Sequence, residues 1–306
     1  MKVAAAVIAA LVLGVFPPQQ VFRSNIDMVA VYPLVTGPEG RFVTDLRQQD
    51  FEVFDNGQPA DVTIFSRDRQ PITALLLLDM SASMEDRWMR VRDAAVRFVD
   101  ALEPADRLRI GTFGSEIALS PHLTGDKAIL SRVLREELWP GGSTPLWSAM
   151  SAGMQSIPPE SGGALGGPPI SPGGGVQGAP PISQSRRRPI VLVTDGIDTS
   201  SAVQAPVAAR AIREQFMIYG IGLEGKGLST RLVDLIGQTG GGHFDLKRSD
   251  DLGAAFLRLA DELHNQYLIG FTPLALDGQP HSLEVRVKRE GFRVRAPTQF
   301  VAPVRK

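Results

Sequence analysis

The stretch Ala74-Leu75-Leu76-Leu77-Leu78-Asp79-Met80-Ser81-Ala82-Ser83 decides the fold. Its first half, residues 74–78, is apolar at every position, which is typical of a central parallel strand covered on both faces. A carboxylate and two hydroxyls follow at alternate positions, where such a strand ends. Ligands of open α/β sheets bind at the carboxyl ends of the strands, so this loop is a predicted binding site.

A second segment repeats this arrangement further along the chain. In residues 190–194 the first four positions are again wholly apolar, and Asp195 follows Thr194 directly. Apolar residues recur at helical spacing after the first strand, in residues 91–102, and strand and helix patterns then alternate as far as about residue 266. This alternation predicts a doubly wound α/β domain with a mainly parallel, Rossmann-like sheet over residues 71–266.

A third polar loop adds one more oxygen. Thr144 lies in Gly141-Gly142-Ser143-Thr144-Pro145, which opens a predicted helix. The candidate metal ligands are therefore Asp79, Ser81, Ser83, Thr144 and Asp195. Two carboxylates and three hydroxyls form an all-oxygen set, which suits a hard cation such as Mg²⁺, or Mn²⁺ or Ca²⁺ in its place, rather than Zn²⁺ or copper.

These five residues resemble the metal-ion-dependent adhesion site of von Willebrand factor A domains, which has the pattern D-x-S-x-S, then Thr, then Asp. All five positions match in this sequence. The resemblance implies that the hydroxyls contact the cation while the aspartates often act through water. It also implies that the cation accepts an Asp or Glu side chain of a protein or peptide partner, so the expected function is adhesion rather than catalysis.

The two flanking regions read as β structure. Residues 20–70 contain short alternating strands, with the hairpin signal Asn56-Gly57 between two of them, and residues 267–306 contain three more. Neither region can bury a core alone, so we expect them to pack together as one small β module. Residues 50–53 and 266–271 are also similar to segments of exported bacterial proteins with a domain related to the von Willebrand factor A type.

The N-terminus has the features of a signal peptide. Lys2 precedes the apolar residues 3–16, and Pro17 and Pro18 follow them. We therefore expect residues 1–19 to be a signal peptide and the protein to be periplasmic, cell-surface or secreted, with no transmembrane span in the mature chain. Residues 158–188 are rich in Gly, Pro and Ser, which predicts a flexible insertion within the domain.

The composition removes several classes of function. A formal net charge of −1 gives no electrostatic case for binding nucleic acid, and the absence of cysteine removes disulfides and thiolate chemistry. Two alternatives to adhesion remain open at this point. One is a scaffold or assembly subunit of an envelope complex. The other is a metal-assisted hydrolase, for which Glu85, Asp86 and Asp198 are the nearby carboxylates but no motif is present.

Overall fold

A computed structural model gives the fold and describes residues 28–136, 144–158, 187–196, 203–223, 227–247 and 251–304. The predicted signal peptide, most of the predicted insertion and Asp198 lie outside the described residues. Among the described residues, no helix is long and apolar enough to cross a membrane.

The centre of the molecule is a six-stranded sheet with the strand order β11-β10-β9-β6-β7-β8. All neighbouring pairs are parallel except β7 and β8, which are antiparallel. The strands are β6 Thr73–Asp79, β7 Arg107–Phe113, β8 Ile117–Leu119, β9 Arg188–Thr194, β10 Phe216–Leu223 and β11 His243–Leu246. Residues 74–78 and 190–194 thus form the two adjacent strands β6 and β9 in the middle of the sheet, as the apolar runs predict.

In the part of the chain that the structure describes, three helices cover each face of this sheet. One core packs Leu76 and Leu78 of β6 against the first, second and sixth helices, and the other packs Leu75 and Leu77 against the remaining three. The helices are α1 Trp88–Ala101, α2 Lys127–Glu136, α3 Leu146–Ser156, α4 Gln204–Arg213, α5 Thr230–Gln238 and α6 Leu252–His264. Successive side chains of a strand point to opposite faces, so the run of leucines in β6 supplies both cores, and the doubly wound α/β prediction is confirmed.

Both flanking regions contribute to small antiparallel sheets. The strand orders are β1-β12-β5, β15-β13-β3-β4 and β14-β2, so each of these sheets contains strands from both ends of the chain. The N-terminal strands are β1 Val29–Val31, β2 Leu34–Thr36, β3 Phe51–Asp55, β4 Gln58–Ala60 and β5 Val62–Ser66. The C-terminal strands are β12 Leu268–Phe271, β13 Pro280–Val287, β14 Arg293–Arg295 and β15 Gln299–Val301.

These strands share a third core, separate from the two cores of the central sheet. Val31, Val53, Ile269 and Phe271 are among its buried members, and they come from both ends of the chain. The expectation of a small β module built from both flanks is confirmed. The pairing is closer than two packed faces, because β12 is hydrogen-bonded between β1 and β5, and β13 is hydrogen-bonded to β3.

The predicted turn at Asn56-Gly57 joins β3 and β4. Both residues have positive φ, 48° for Asn56 and 77° for Gly57, as a two-residue hairpin turn of this kind requires. The partner strand β4 was not predicted, and β5, which was expected to follow the turn, pairs with β12 instead. Among the described residues, β8, β15 and two 3₁₀ turns were not predicted either: Gln48–Asp50, and Ala82–Arg87, which leads from the first candidate loop into α1.

Candidate metal centre

The two predicted aspartates lie at the same edge of the central sheet. Asp79 is the last residue of β6, and Asp195 follows the last residue of β9, Thr194. The two strands are parallel neighbours, with Leu78 beside Val193. Their carboxyl ends therefore bring both carboxylates to one position, where the topology of an open α/β sheet places a binding site.

Asp79 is fully buried, and both of its carboxylate oxygens accept hydrogen bonds. The backbone N–H of Ser81 donates to Oδ1 at 2.9 Å, and the hydroxyl of Thr194 donates to Oδ2 at 2.5 Å. Burial raises the pKa of the Asp79 carboxyl more than these hydrogen bonds lower it, and the charge of Asp195 adds to the rise. The cluster thus holds a carboxylate whose negative charge is only partly compensated, which favours a cation beside it.

The two serines connect Asp79 to Asp195. Ser81 and Ser83 lie with their hydroxyl oxygens 3.1 Å apart, and the Ser83 hydroxyl donates to Asp195 Oδ1 at 2.8 Å. Ser81 is buried, whereas Ser83 is exposed, so the cluster reaches the surface at Ser83. A hydrogen-bonded chain thus links the loop after β6 to the loop after β9.

Thr144 lies on the same side of the sheet. It is buried two residues before α3, and its hydroxyl oxygen would be 3.9 Å from a Cβ added to Gly196, the residue after Asp195. Residues 141–143 of the predicted loop lie outside the described residues. The structure therefore brings four predicted residues into one hydrogen-bonded group and places the fifth against the loop that carries Asp195.

Arg87 is a member of this cluster that the sequence did not indicate. Its Nη1 lies 2.6 Å from Asp195 Oδ2, and the same nitrogen donates to the carbonyl oxygen of Ser83. About a quarter of the side chain, 25%, is exposed. Arg87 reaches the cluster because the 3₁₀ turn Ala82–Arg87 turns the chain so that residue 87 faces the loop it has just left, and the residue types of this turn give no signal for that path.

Every carboxylate oxygen of the two aspartates accepts a hydrogen bond from this cluster. One of those donors, the guanidinium of Arg87, carries a full positive charge. The Arg87 guanidinium is therefore a positive group that already lies at Asp195 Oδ2. The candidate ligands around it all offer side-chain oxygen, so the residues fit a hard divalent ion.

Other residues near the loop have structural roles. Met80, Met84 and Trp88 are buried in the core shared by β6 and α1, while Glu85 and Asp86 are exposed in the turn. Within the part of the chain that the structure describes, no group of three or more His, Asp or Glu side chains has the spacing of a metal site. The candidate centre is therefore built mainly from hydroxyls, with two carboxylates.

Comparison with known proteins agrees with this fold. The family model for the von Willebrand factor type A domain matches residues 75–256. A solved von Willebrand factor type A protein from Catenulispora acidiphila has a TM-score of 0.50 at 12% identity, covering 92% of this chain and 75% of that chain. A comparison with curated proteins gives no match.

Two further solved structures are similar to this chain. Proximal thread matrix protein 1 from the mussel byssus, described with a zinc-occupied MIDAS motif, has a TM-score of 0.51 at 13% identity over 67% of this chain. This chain spans about half of that protein, 48% of its length. BatB from Bacteroides thetaiotaomicron has a TM-score of 0.46 at 16% identity, covering 63% of this chain and 98% of that chain. At these identities the likeness concerns the fold alone.

Proposed function

Because this chain belongs to the von Willebrand factor type A domain family, which its match over residues 75–256 shows, we propose that it is a divalent-metal-dependent protein-binding module. We assign the binding domain to residues 71–266. The cation is held by Asp79, Ser81, Ser83, Thr144 and Asp195. The observation that carries the proposal is the hydrogen-bonded chain from Asp79 through Ser81 and Ser83 to Asp195, which reaches the surface at Ser83.

The charge of this ligand set supports the binding of an anionic group of a partner. Two carboxylates balance the two positive charges of the cation, and the three hydroxyls are neutral donors. A cation bound mainly through hydroxyls and water keeps enough electrophilic character to accept a further anionic oxygen. The proposed ligand is therefore an Asp or Glu side chain of a protein or peptide that approaches at the exposed Ser83.

The same geometry favours binding over catalysis. A metal-assisted hydrolase needs a general base within hydrogen-bonding distance of a metal-bound water. Asp79 and Asp195 are engaged by Ser81, Thr194, Ser83 and Arg87, and the carboxylates of Glu85 and Asp86 are exposed in the turn. We therefore propose an interaction module without an enzymatic step of its own.

The proposal includes a metal and a location. Mg²⁺ is the preferred ion, with Mn²⁺ and Ca²⁺ as alternatives, because all the side-chain donors are oxygen. Zn²⁺ belongs in the same comparison, because the mussel byssus protein is described with zinc in its MIDAS motif. The apolar residues 3–16 support export to the periplasm, the cell surface or the medium.

The metal is tested by titration calorimetry with Mg²⁺, Mn²⁺, Ca²⁺ and Zn²⁺. We expect one site in the wild-type protein, its loss in Asp79→Ala, and its retention in Asp86→Ala, which removes an exposed carboxylate from the same loop. Equal binding by wild type and Asp79→Ala would exclude the assigned ligands.

The ligand is tested separately on immobilised peptides that carry Glu, with matched peptides that carry Gln. Binding is expected to need both the metal and the carboxylate, and therefore to be lost with EDTA and on the Gln peptides. Metal-independent retention on both peptide sets would contradict the proposed mode of recognition.

A further inference from the structure

Arg87 connects the candidate metal centre to the start of α1. It is the last residue of the 3₁₀ turn Ala82–Arg87 and directly precedes Trp88, the first residue of α1, whose side chain is buried. The backbone of Arg87 is therefore fixed by the packing of α1. Its side chain is only partly covered and reaches back to Asp195 and to the carbonyl oxygen of Ser83.

The groups that Arg87 contacts are those that a divalent cation needs. Asp195 Oδ2 accepts from Arg87, and Asp195 Oδ1 accepts from the hydroxyl of Ser83. A cation bound through Ser83 requires that this hydroxyl turn its lone pair toward the metal and its proton elsewhere. It also requires that the guanidinium move away, because two positive charges within a few ångströms of each other repel strongly in a partly buried site.

We propose that Arg87 is an internal cation that competes with the divalent metal for Asp195 and so sets the metal concentration at which the site fills. This inference rests on the proposed function, since it assumes that the five-residue site takes a divalent ion. In the metal-free protein, the Arg87 guanidinium compensates the charge of Asp195 beside the buried Asp79. In the metal-bound protein, the divalent ion takes over that role, and Arg87 moves outward to the rim.

The competition has a consequence for stability as well as for binding. A cation that holds the empty site together stabilises the metal-free fold and weakens metal binding by the same interaction, because only the difference between the two states counts. Removing the charge of Arg87 should therefore tighten metal binding and destabilise the metal-free protein together. A purely structural role would lower stability with and without metal and leave the affinity for metal unchanged.

The test compares Arg87→Gln with Arg90→Gln. Arg90 is an exposed residue of α1, and its substitution changes the net charge by the same amount. In Arg87→Gln we expect the Kd for Mg²⁺ and Mn²⁺ from calorimetry to fall by about tenfold. The melting temperature of the metal-free variant should fall, and its rise on adding metal should exceed that of the wild type. Arg90→Gln should match the wild type in all three quantities.

The outcomes separate this inference from the function it rests on. If wild type and Arg87→Gln bind metal with equal affinity, or the variant binds more weakly, the competition is overturned while the metal site stands. If none of the proteins binds metal, the proposed site fails and the competition fails with it.

A second measurement covers the case in which Arg87→Gln does not fold. The Arg87 Nε–H signal is followed by ¹⁵N NMR in the wild-type protein while Mg²⁺ is added, with Arg87→Lys used to assign it. Displacement predicts a shift and a sharper signal as the site fills. A signal that stays unchanged at saturating Mg²⁺ would overturn the proposal.

Discussion

The two ends of the central sheet each bury an aspartate, and they hold it differently. At the amino ends, Asp106 lies just before β7 and accepts from the backbone N–H of Ile72 at 3.0 Å and of Glu103 at 2.8 Å. Nε2 of the buried His264 lies 2.8 Å from its Oδ2. Burial raises the pKa of Asp106, but these hydrogen bonds and the charge of His264 outweigh it and leave the pKa lowered.

At the carboxyl ends, the balance is reversed. Burial raises the pKa of Asp79 more than the hydrogen bonds from Thr194 and Ser81 lower it, so the pKa stays raised. Both side chains are fully buried, so exposure does not explain the difference. Asp106 has a complete set of partners within the protein and serves the fold, whereas Asp79 lacks a sufficient positive partner and suits a site that receives a cation from solution.

Substitution of Asp106, which has a complete set of partners within the protein, should have the largest effect on stability. In Asp106→Ala, His264 loses its carboxylate in a buried position, and two backbone N–H groups lose their acceptor. We expect the free energy of unfolding, measured by denaturant titration, to fall by about 3 to 5 kcal/mol. The exposed Asp93 of α1 provides the control, because Asp93→Ala should change stability by less than about 0.5 kcal/mol. A loss below about 1 kcal/mol in Asp106→Ala would show that the cluster is not structural.

Substitution of Asp79 should instead change how strongly metal stabilises the protein. In metal-free buffer, Asp79→Asn should stay within about 1 kcal/mol of the wild type, because the amide oxygen still accepts from Ser81 and a buried charge is removed. Mg²⁺ at about a hundred times its Kd should stabilise the wild type by ~2.7 kcal/mol and leave Asp79→Asn unchanged. Equal stabilisation of both proteins by Mg²⁺ would place the metal elsewhere.

A smaller effect is expected at Thr194, whose hydroxyl is one of the hydrogen-bond partners of Asp79. Thr194→Val removes the hydroxyl that donates to Asp79 Oδ2 and keeps the shape of the side chain. The metal-free protein should lose about 1.5 kcal/mol, since a buried carboxylate loses a hydrogen bond. Thr112→Val, in the neighbouring strand β7, is the matched control with the same chemical change. If the two variants were equally stable in denaturant titration, the Thr194 hydroxyl would contribute nothing specific to Asp79.

The β module also contains a fully buried aspartate, which resembles Asp106 rather than Asp79. Asp55 is fully buried, with Oδ1 2.6 Å from His281 Nδ1, and Oδ2 accepts from the backbone N–H of Leu274 at 2.8 Å. Burial lowers the pKa of His281, but hydrogen bonds to Asp55 and Asp277 and the charges of both outweigh it and raise the pKa above 6.5.

The pair of Asp55 and His281 should have the smallest effect on stability, and this effect depends on pH. Because the folded-state pKa of His281 is raised, its stabilisation is fully present below 6.5 and is lost as the pH rises through the folded-state pKa. We expect denaturant titrations from about pH 5 to 9 to show this decline in the wild type and a smaller one in His281→Asn. His122→Asn, at an exposed position, should keep the decline of the wild type. A decline of the same size in His281→Asn would assign it to other groups.

The sequence predicts best where local pattern and topology coincide. The apolar runs in β6 and β9 indicate central strands, and the residues that follow them must then meet at one edge of the sheet. Asp79, Ser81, Ser83 and Asp195 were predicted on that reasoning and lie in one hydrogen-bonded group. Their role as metal ligands remains a prediction.

The contacts that sequence reasoning missed depend on geometry that no local pattern carries. Arg87 reaches Asp195 because a 3₁₀ turn redirects the chain, and nothing in the residue types of that turn indicates its path. His264 and Asp106 are 158 residues apart, and each looks like an isolated polar residue in the sequence. The strands β8 and β15 have three residues each, too few for alternation to be recognised.

The pairing of N-terminal with C-terminal strands in the β module has a consequence for how the protein is made. The phenol of Tyr267, next to β12, accepts from the backbone N–H of Leu46 across 221 residues of sequence and donates to the carbonyl oxygen of Val43. At ribosomal rates of about 5 to 20 residues per second, the N-terminal strands wait on the order of tens of seconds for these partners. The α/β domain, inserted between the two halves, has its own cores and emerges before the C-terminal strands. The β module therefore closes last, and until then the open edges of β1 and β5 need protection from other chains.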